Sequence, residues 1–254
     1  MAEDVLVERG NGLLVIILNR PHVRNAMDAA MSVRIAAAVD ELDADDALSV
    51  AILTGAGGSF CAGMDLKAFL RGERPEVAGR GFGGLTQAPP VKPLIAAVEG
   101  HALAGGCELV LSCDLVVAAR DSSFGLPEVR RGLIAGSGGL LRLPQRIPQA
   151  IATEYALTGE PFSAVEAHRW GLVNRLTDPG GALPAARELA GRISRNGPLA
   201  VRTTKRVLVE SPHWPADQIW ERQDEALSEV LTSADAVEGA NAFAERREPR
   251  WLGR

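Results

Sequence analysis

Two glutamates, Glu108 and Glu128, stand in company unusual for acids. Glu108 follows A-G-G-C and precedes L-V-L, while Glu128 follows F-G-L-P. A carboxyl among small and apolar neighbours loses hydration of its charged form. Its pKa rises, and it can then give or take a proton near neutrality. Two such groups around one substrate can divide acid work from base work. Just ahead of Glu108 lies the pair Gly105-Gly106, at the mouth of a predicted helix. The first N–H groups of a helix are unpaired and carry the positive end of its dipole, so an oxygen anion is favoured there. Glycine leaves that approach open. Each feature alone has a plain structural counterpart: an apolar run before Gly-Gly is a strand and a turn, and an acid in a first helical turn is a dipole residue.

The elements that must hold these residues are read from the apolar pattern. Val5 to Glu8 and Leu13 to Leu18 form two strands across the turn Arg9-Gly10-Asn11-Gly12. Asp28 caps a helix reaching about Leu42, with Met31, Ile35, Val39 and Leu42 on one face. Strands follow at Ser49 to Leu53, Pro93 to Val98 and Leu115 to Ala119. Phe60 to Leu66 is a turn into a short helix, and Arg71 to Ala88, rich in Gly and Arg, is a mobile segment over the site. Ser122 to Pro127 reads as a turn, and Gly136 to Gly139 opens a helix. Helices at Ala150 to Leu157 and Ala164 to Trp170 precede a short strand at Leu172 to Leu176. The rest is helical: Leu183 to Ile193, Leu199 to Val209, Ala216 to Leu231 and Ala234 to Arg246. Strands and helices alternate first and helices run alone last, an α/β order.

Composition narrows the function. The chain has 254 residues, 46% hydrophobic and 23% charged, with formal net charge −5. That is ordinary for a soluble globular protein, and the absence of a basic tract argues against nucleic acid as a partner. No apolar run is long enough to span a membrane, and the acidic N-terminus lacks a signal-peptide pattern, so a cytoplasmic location is expected. Cys61, Cys107 and Cys113 have no C-x-x-C spacing, and the four histidines have no metal-ligand spacing. Neither a disulfide nor a metal site is expected.

The pattern as a whole resembles the crotonase superfamily of enoyl-CoA hydratases and isomerases. The carrying segments are N-R-P-H-V-R-N-A-M (Asn19 to Met27), F-C-A-G-M-D-L (Phe60 to Leu66), G-H-A-L-A-G-G-C-E-L (Gly100 to Leu109), F-G-L-P-E (Phe124 to Glu128) and G-L-I-A-G-S-G-G (Gly132 to Gly139). They recur in order over nearly the whole chain. Within the family the likeness is strongest to its carnitinyl-CoA dehydratase branch, on Gly81 to Leu85, Gly136 to Pro144, R-W-G-L-V-N-R from Arg169, and the tail from Ala242 to Arg254.

The resemblance implies a spiral of ββα units (residues 1–190) carrying the active site, with a helical C-terminal trimerisation region (191–254). It implies a homotrimer or a pair of trimers, an acyl-CoA thioester as substrate, and no cofactor beyond the coenzyme A of that substrate. Glu108 and Glu128 match the paired catalytic glutamates of the hydratases, which add or remove water across the Cα–Cβ bond. The main-chain N–H groups of Met64 and Gly105 match the oxyanion hole. Arg24, Ala62, Asp65 and Leu66 match coenzyme A contacts, and Phe243 and Arg246 an adenine pocket shared with a neighbouring subunit. Ala104 stands where the family more often has glycine, a replacement read as neutral. An isomerase, or a noncatalytic member that binds CoA esters or RNA, is the competing reading. A trimethylammonium acyl group would call for an aromatic face or an extra acid, and no tryptophan can be placed there from sequence.

Overall fold

A computed structural model describes residues 3–254. In chain order the strands are β1 (Val5–Gly10), β2 (Leu13–Leu18), β3 (Val50–Gly55), β4 (Glu76–Val77), β5 (Gly81–Phe82), β6 (Leu94–Val98), β7 (His101–Leu103), β8 (Leu115–Ala119), β9 (Ser123–Gly125), β10 (Phe162–Ser163) and β11 (Arg175–Thr177). The helices are α1 (Ala29–Ala44), α2 (Leu66–Leu70), α3 (Gly105–Leu111), α4 (Gly139–Arg146), α5 (Gln149–Thr158), α6 (Ala164–Trp170), α7 (Ala182–Ser194), α8 (Pro198–Glu210), α9 (Ile219–Leu231) and α10 (Ala234–Glu245). A 3-10 turn covers Pro127–Arg131.

The main sheet has six strands in the order β1-β2-β3-β6-β8-β11. The β1–β2 hairpin is antiparallel and every later pairing is parallel. Its central strands read as continuous apolar runs because both faces are covered. Side chains alternate across the pleat. Val50 and Ile52 join Val15, Ile95, Ala97 and Val117 beneath Ala182, Ala186 and Ala190 of α7. Ala51 and Leu53 point the other way, into the larger core with Leu14, Ile16, Ala96 and Val116. Each fully buried Val, Leu or Ile contributes roughly 1.5–3 kcal/mol relative to exposure. Small residues on α7 let the helix lie close to the sheet. Glu99 caps that helix from a distance, its carboxylate accepting the N–H groups of Gly180 (3.0 Å) and Ala182 (2.9 Å).

A second layer of short parallel segments lies across the large core. Residues 25–27 pair with 63–65 through the Met27–Met64 bridge, Cys61 pairs with Ala102, and β7 pairs with β9. The strands β2, β3, β6 and β8 are thus each followed by a second-layer segment and then a helix start. The sequence shows no literal repeat, but the chain repeats in space as ββα turns. Sequence analysis assigns no strand to His101–Leu103 and a turn to Ser122 to Pro127; the structure has the three-residue strands β7 and β9 there.

The segment from Arg71 to Ala88 is corrected more substantially. It is not a mobile cover: residues 81–86 are buried, and β4 and β5 form a hairpin. Arg80 pairs with Asp40 of α1, and the Ser32 hydroxyl donates to the Pro75 carbonyl at 2.7 Å. The helices α8–α10 leave Trp220, Leu227, Leu231, Val237 and Phe243 exposed. Trp170, by contrast, joins Tyr155 and Phe162 in an aromatic cluster. The tail folds back: Trp251 Nε1 donates to the Arg195 carbonyl at 2.8 Å, and buried Asp235 accepts the N–H groups of Leu252 and Gly253. Among the described residues no helix is long and apolar enough to cross a membrane, and no group of three or more His, Cys, Asp or Glu could hold a metal ion.

Candidate active site

The second layer explains why distant residues meet. Its parallel segments end side by side, and each end opens a helix: α1 after Asp28, α2 after Asp65, α3 after Ala104, and the 3-10 turn after Leu126. Met64, Gly105 and Glu128 therefore sit on neighbouring strand ends, where helix N-termini supply unpaired N–H groups.

The two expected oxyanion donors come from adjacent segments. Residues 61–65 pair on one side with β7, Cys61 N donating to the His101 carbonyl (2.9 Å) and Leu103 N to the Cys61 carbonyl (3.0 Å). On the other side Met27 N donates to the Gly63 carbonyl and Asp65 N to the Met27 carbonyl, both at 2.8 Å. That pairing turns the Met64 N–H away from Met27. Gly63, at φ +97°, packs directly on Ala104 and Gly105; a Cβ there would lie 2.8 Å from the Ala104 Cβ and 3.3 Å from the Gly105 nitrogen. Among the described residues neither Met64 N–H nor Gly105 N–H finds an acceptor. Gly106 is required for the close approach of α3, since a Cβ would overlap the Cys61 carbonyl.

Ala104 is not neutral. It sits at φ +52°, ψ −127°, a conformation that glycine adopts freely and alanine only under strain. Its N–H donates to the Gly125 carbonyl at 2.9 Å, tying the strand before Glu128 to the residue before Gly105.

Glu108 lies in the first turn of α3 and is 3% exposed. Its Oε1 accepts the main-chain N–H of Ser137 (2.7 Å) and of Gly139 (2.9 Å), at the start of α4. Burial raises its pKa; those two amides and the nearby Arg142 charge oppose the rise. Gly139 fits between the acids' neighbourhoods, for a Cβ there would meet Leu126 at 3.0 Å and the Glu108 Cγ at 3.1 Å.

Glu128, in the 3-10 turn, is treated differently. Its Oε2 is buried and meets no hydrogen-bond donor among the described residues. Burial pushes its pKa up to about 7, the Glu108 charge adds to the rise, and its own amide and Arg131 oppose it. Glu128 therefore holds its proton well above the ordinary carboxylate range, beside a Glu108 whose burial is opposed by two amides and the Arg142 charge. Cys107, beside Glu108, is a neutral thiol pushed up to about 12 by burial.

The expected coenzyme A contacts separate into two kinds. Arg24 is exposed, and its carbonyl accepts the Ala62 N–H at 3.0 Å, so cation and segment are adjacent. Among the described residues the Ala62 carbonyl and the Leu66 N–H are free to meet a ligand. Asp65 is a correction. Its Oδ1 caps α2 through Lys67 N (3.0 Å) and Ala68 N (3.1 Å), its Oδ2 pairs with Arg20 (3.0 Å), and its N–H and carbonyl are both bonded within the fold. It builds the segment, and each of its polar groups already has a partner within the fold.

Sequence reasoning missed several residues that shape the site. Arg20 bridges the caps of two helices, Asp28 (2.9 Å) and Asp65. Fully buried Asn25 donates to the carbonyls of Ala56 (2.9 Å) and Ser59 (2.7 Å). The ring of Phe82 lies against Gly105, where a Cβ would overlap it. Arg142 donates to the Thr86 carbonyl at 2.6 Å, joining α4 to the segment that carries Phe82.

Spiral and site together bring a pair of buried acids beside two unpaired main-chain N–H groups at helix starts. The family model for enoyl-CoA hydratase/isomerase matches residues 8–254. The chain belongs to the enoyl-CoA hydratase/isomerase family. It is similar to an enoyl-CoA hydratase of Mycobacterium tuberculosis H37Rv of known structure, at 62% identity over 99% of both chains and a TM-score of 0.97. It is 43% identical to a carnitinyl-CoA hydratase of Mycobacterium avium over the full length of both chains, with a TM-score of 0.80. A carnitinyl-CoA dehydratase of Salmonella enteritidis is 41% identical, again over the whole of both proteins.

Proposed function

We propose that this protein adds water to, or removes it from, the Cα–Cβ bond of an enoyl-CoA thioester. The observation that carries the reading is the unequal glutamate pair beside two unpaired amides. The N–H groups of Met64 and Gly105 take the thioester oxygen, where negative charge develops as the bond is attacked. Ionised Glu108 takes a proton from the water that attacks Cβ. Neutral Glu128 delivers its proton to Cα, and the same groups exchange roles for elimination. Exposed Arg24 meets the phosphates of coenzyme A, and the backbone of Ala62 and Leu66 meets its adenine. Phe243 and Arg246 of a neighbouring subunit complete that pocket in a trimer or a pair of trimers, with the exposed apolar residues of α9 and α10 at the contact.

Among the relatives above, the greater identity goes with the general hydratase name, so a plain 2-enoyl thioester is the favoured substrate. A carnitinyl thioester is the second reading. The full-length likeness to the carnitinyl-CoA enzymes of Mycobacterium avium and Salmonella enteritidis supports it. Water addition across a panel of enoyl-CoA esters that includes crotonobetainyl-CoA tests both. Hydration of at least one ester is expected. Double-bond migration without water uptake would replace this reading with an isomerase.

A further inference from the structure

Arg142 stands one turn into α4, and its guanidinium is half-buried. Among the described residues it closes no ion pair. Its neighbour Arg146, a turn further on, spends its donors on the carbonyls of Cys113 (3.1 Å) and Asp114 (3.5 Å). Arg142 has a single partner of that kind, the Thr86 carbonyl. The opposite charge that acts on it most is Glu108. A cation taken out of water without a counter-ion is costly unless another site uses its field.

What surrounds Glu108 points to that use. Facing it are the amides of Ser137 and Gly139 and the Arg142 charge from α4, the neutral Cys107 thiol from α3, and Glu128 from the 3-10 turn. Everything that favours its ionised form therefore comes from one element, the first turns of α4 and the residues leading into it. Glu128 receives none of it. Arg142 also grips the main chain of Thr86, four residues beyond Phe82, whose ring lies on the oxyanion glycine.

We propose that Arg142 is a positioning residue that assigns the two glutamates their roles: its charge keeps Glu108 as the carboxylate, and its bond to Thr86 holds the Phe82 wall against Gly105. This rests on reading the pair as a water-adding acid and base. The arginine touches neither substrate nor reacting atoms; it acts through Glu108.

Two substitutions test the charge. Arg142→Gln loses it together with the reach to the Thr86 carbonyl, because its amide ends short of the guanidinium's tip; Arg142→Lys keeps the charge on an arm of nearly the same length. The acid limb of kcat/KM reports the base of the free enzyme. In Arg142→Gln that limb moves to higher pH, so that about one pH unit below the wild-type optimum kcat/KM falls about tenfold more than at the optimum. In Arg142→Lys the limb returns toward its wild-type position. An equal loss at every pH in both variants means a tether alone and overturns the assignment. A second readout needs no turnover: titration of 13C-labelled glutamate carboxyls by NMR, with the Glu108 signal identified by its loss in Glu108→Gln. An upward move of that titration in Arg142→Gln is expected. An unmoved titration overturns the proposal even if no ester is hydrated, whereas a moved titration without hydration overturns only the reading of the function.

Discussion

Glu108 and Glu128 are the same residue on neighbouring structural ends, and the fold solvates them in opposite ways. The start of α4 supplies Glu108 with two main-chain donors and a nearby guanidinium. The turn after Pro127 leaves one Glu128 oxygen buried and bare. Burial penalises both charges, but only the first is opposed by two main-chain donors from another element; Glu128 has its own amide and the Arg131 charge. The two carboxyls therefore differ in the main-chain donors around them, not in residue type. That difference also shows why two acids can share one small site: the like-charge repulsion that would expel one of them is relieved by leaving a proton on Glu128.

The comparison can be broken from either side. Glu128→Gln removes the transferable proton and should lower kcat by about 10²–10⁴-fold while binding of a saturated acyl-CoA survives. Glu108→Gln should cost as much in turnover, because its amide oxygen still accepts from Ser137 and Gly139 but takes no proton. Stopped-flow hydration and calorimetric binding check both, and near-normal turnover in either variant would refute the pairing. The oxyanion half is the next largest effect. Gly105→Ala drives a methyl into the Phe82 ring and should lower kcat by about 10²–10³-fold. The double variant Gly105→Ala with Phe82→Ala should recover part of that loss; no recovery would mean that the ring and the glycine are uncoupled.

Stability sharpens the contrast further. The folded pKa of Glu128 is raised to about 7. The folded state thus holds its proton more tightly than the unfolded chain does. Stability falls as pH rises from the ordinary carboxylate range through about 7, and the full cost is present above that. Glu128→Gln should therefore stabilise the protein above neutral pH by on the order of 1–2 kcal/mol, once the partial exposure of the site is allowed for, and by little in mild acid. Denaturant unfolding at the two pH values checks it. The smallest effect concerns the strained residue between the two regions: Ala104→Gly should relieve its positive φ and stabilise by about 1 kcal/mol in the same experiment, net of the extra freedom that glycine gives the unfolded chain.

Much of this was legible in the residues. The acids in small and apolar company, the Gly-Gly at a helix mouth and the Asp28 cap all carry local signals, and the structure places them as the sequence suggests. The buried strands β2, β3, β6 and β8 announce themselves by apolar runs. The second-layer strands do not, because three residues ending in glycine or before a turn carry no periodicity. Phe82 was hidden in a Gly- and Arg-rich segment that resembles a flexible loop. Its glycines instead permit close packing, Gly84 against α1 and Gly83 against Leu109. Arg20, Asn25 and Arg142 look like surface residues in a linear reading, and only the fold reveals that each ties together segments far apart in the chain.

The central claim is that Glu128 is the protonated partner of an ionised Glu108. Carboxyl-resolved titration of Glu128, in the wild type and in Glu108→Gln, tests it most directly. A wild-type midpoint near the value of about 7, moving down when the Glu108 charge is removed, is the predicted result. A midpoint in the ordinary carboxylate range, or one indifferent to Glu108, would contradict the account.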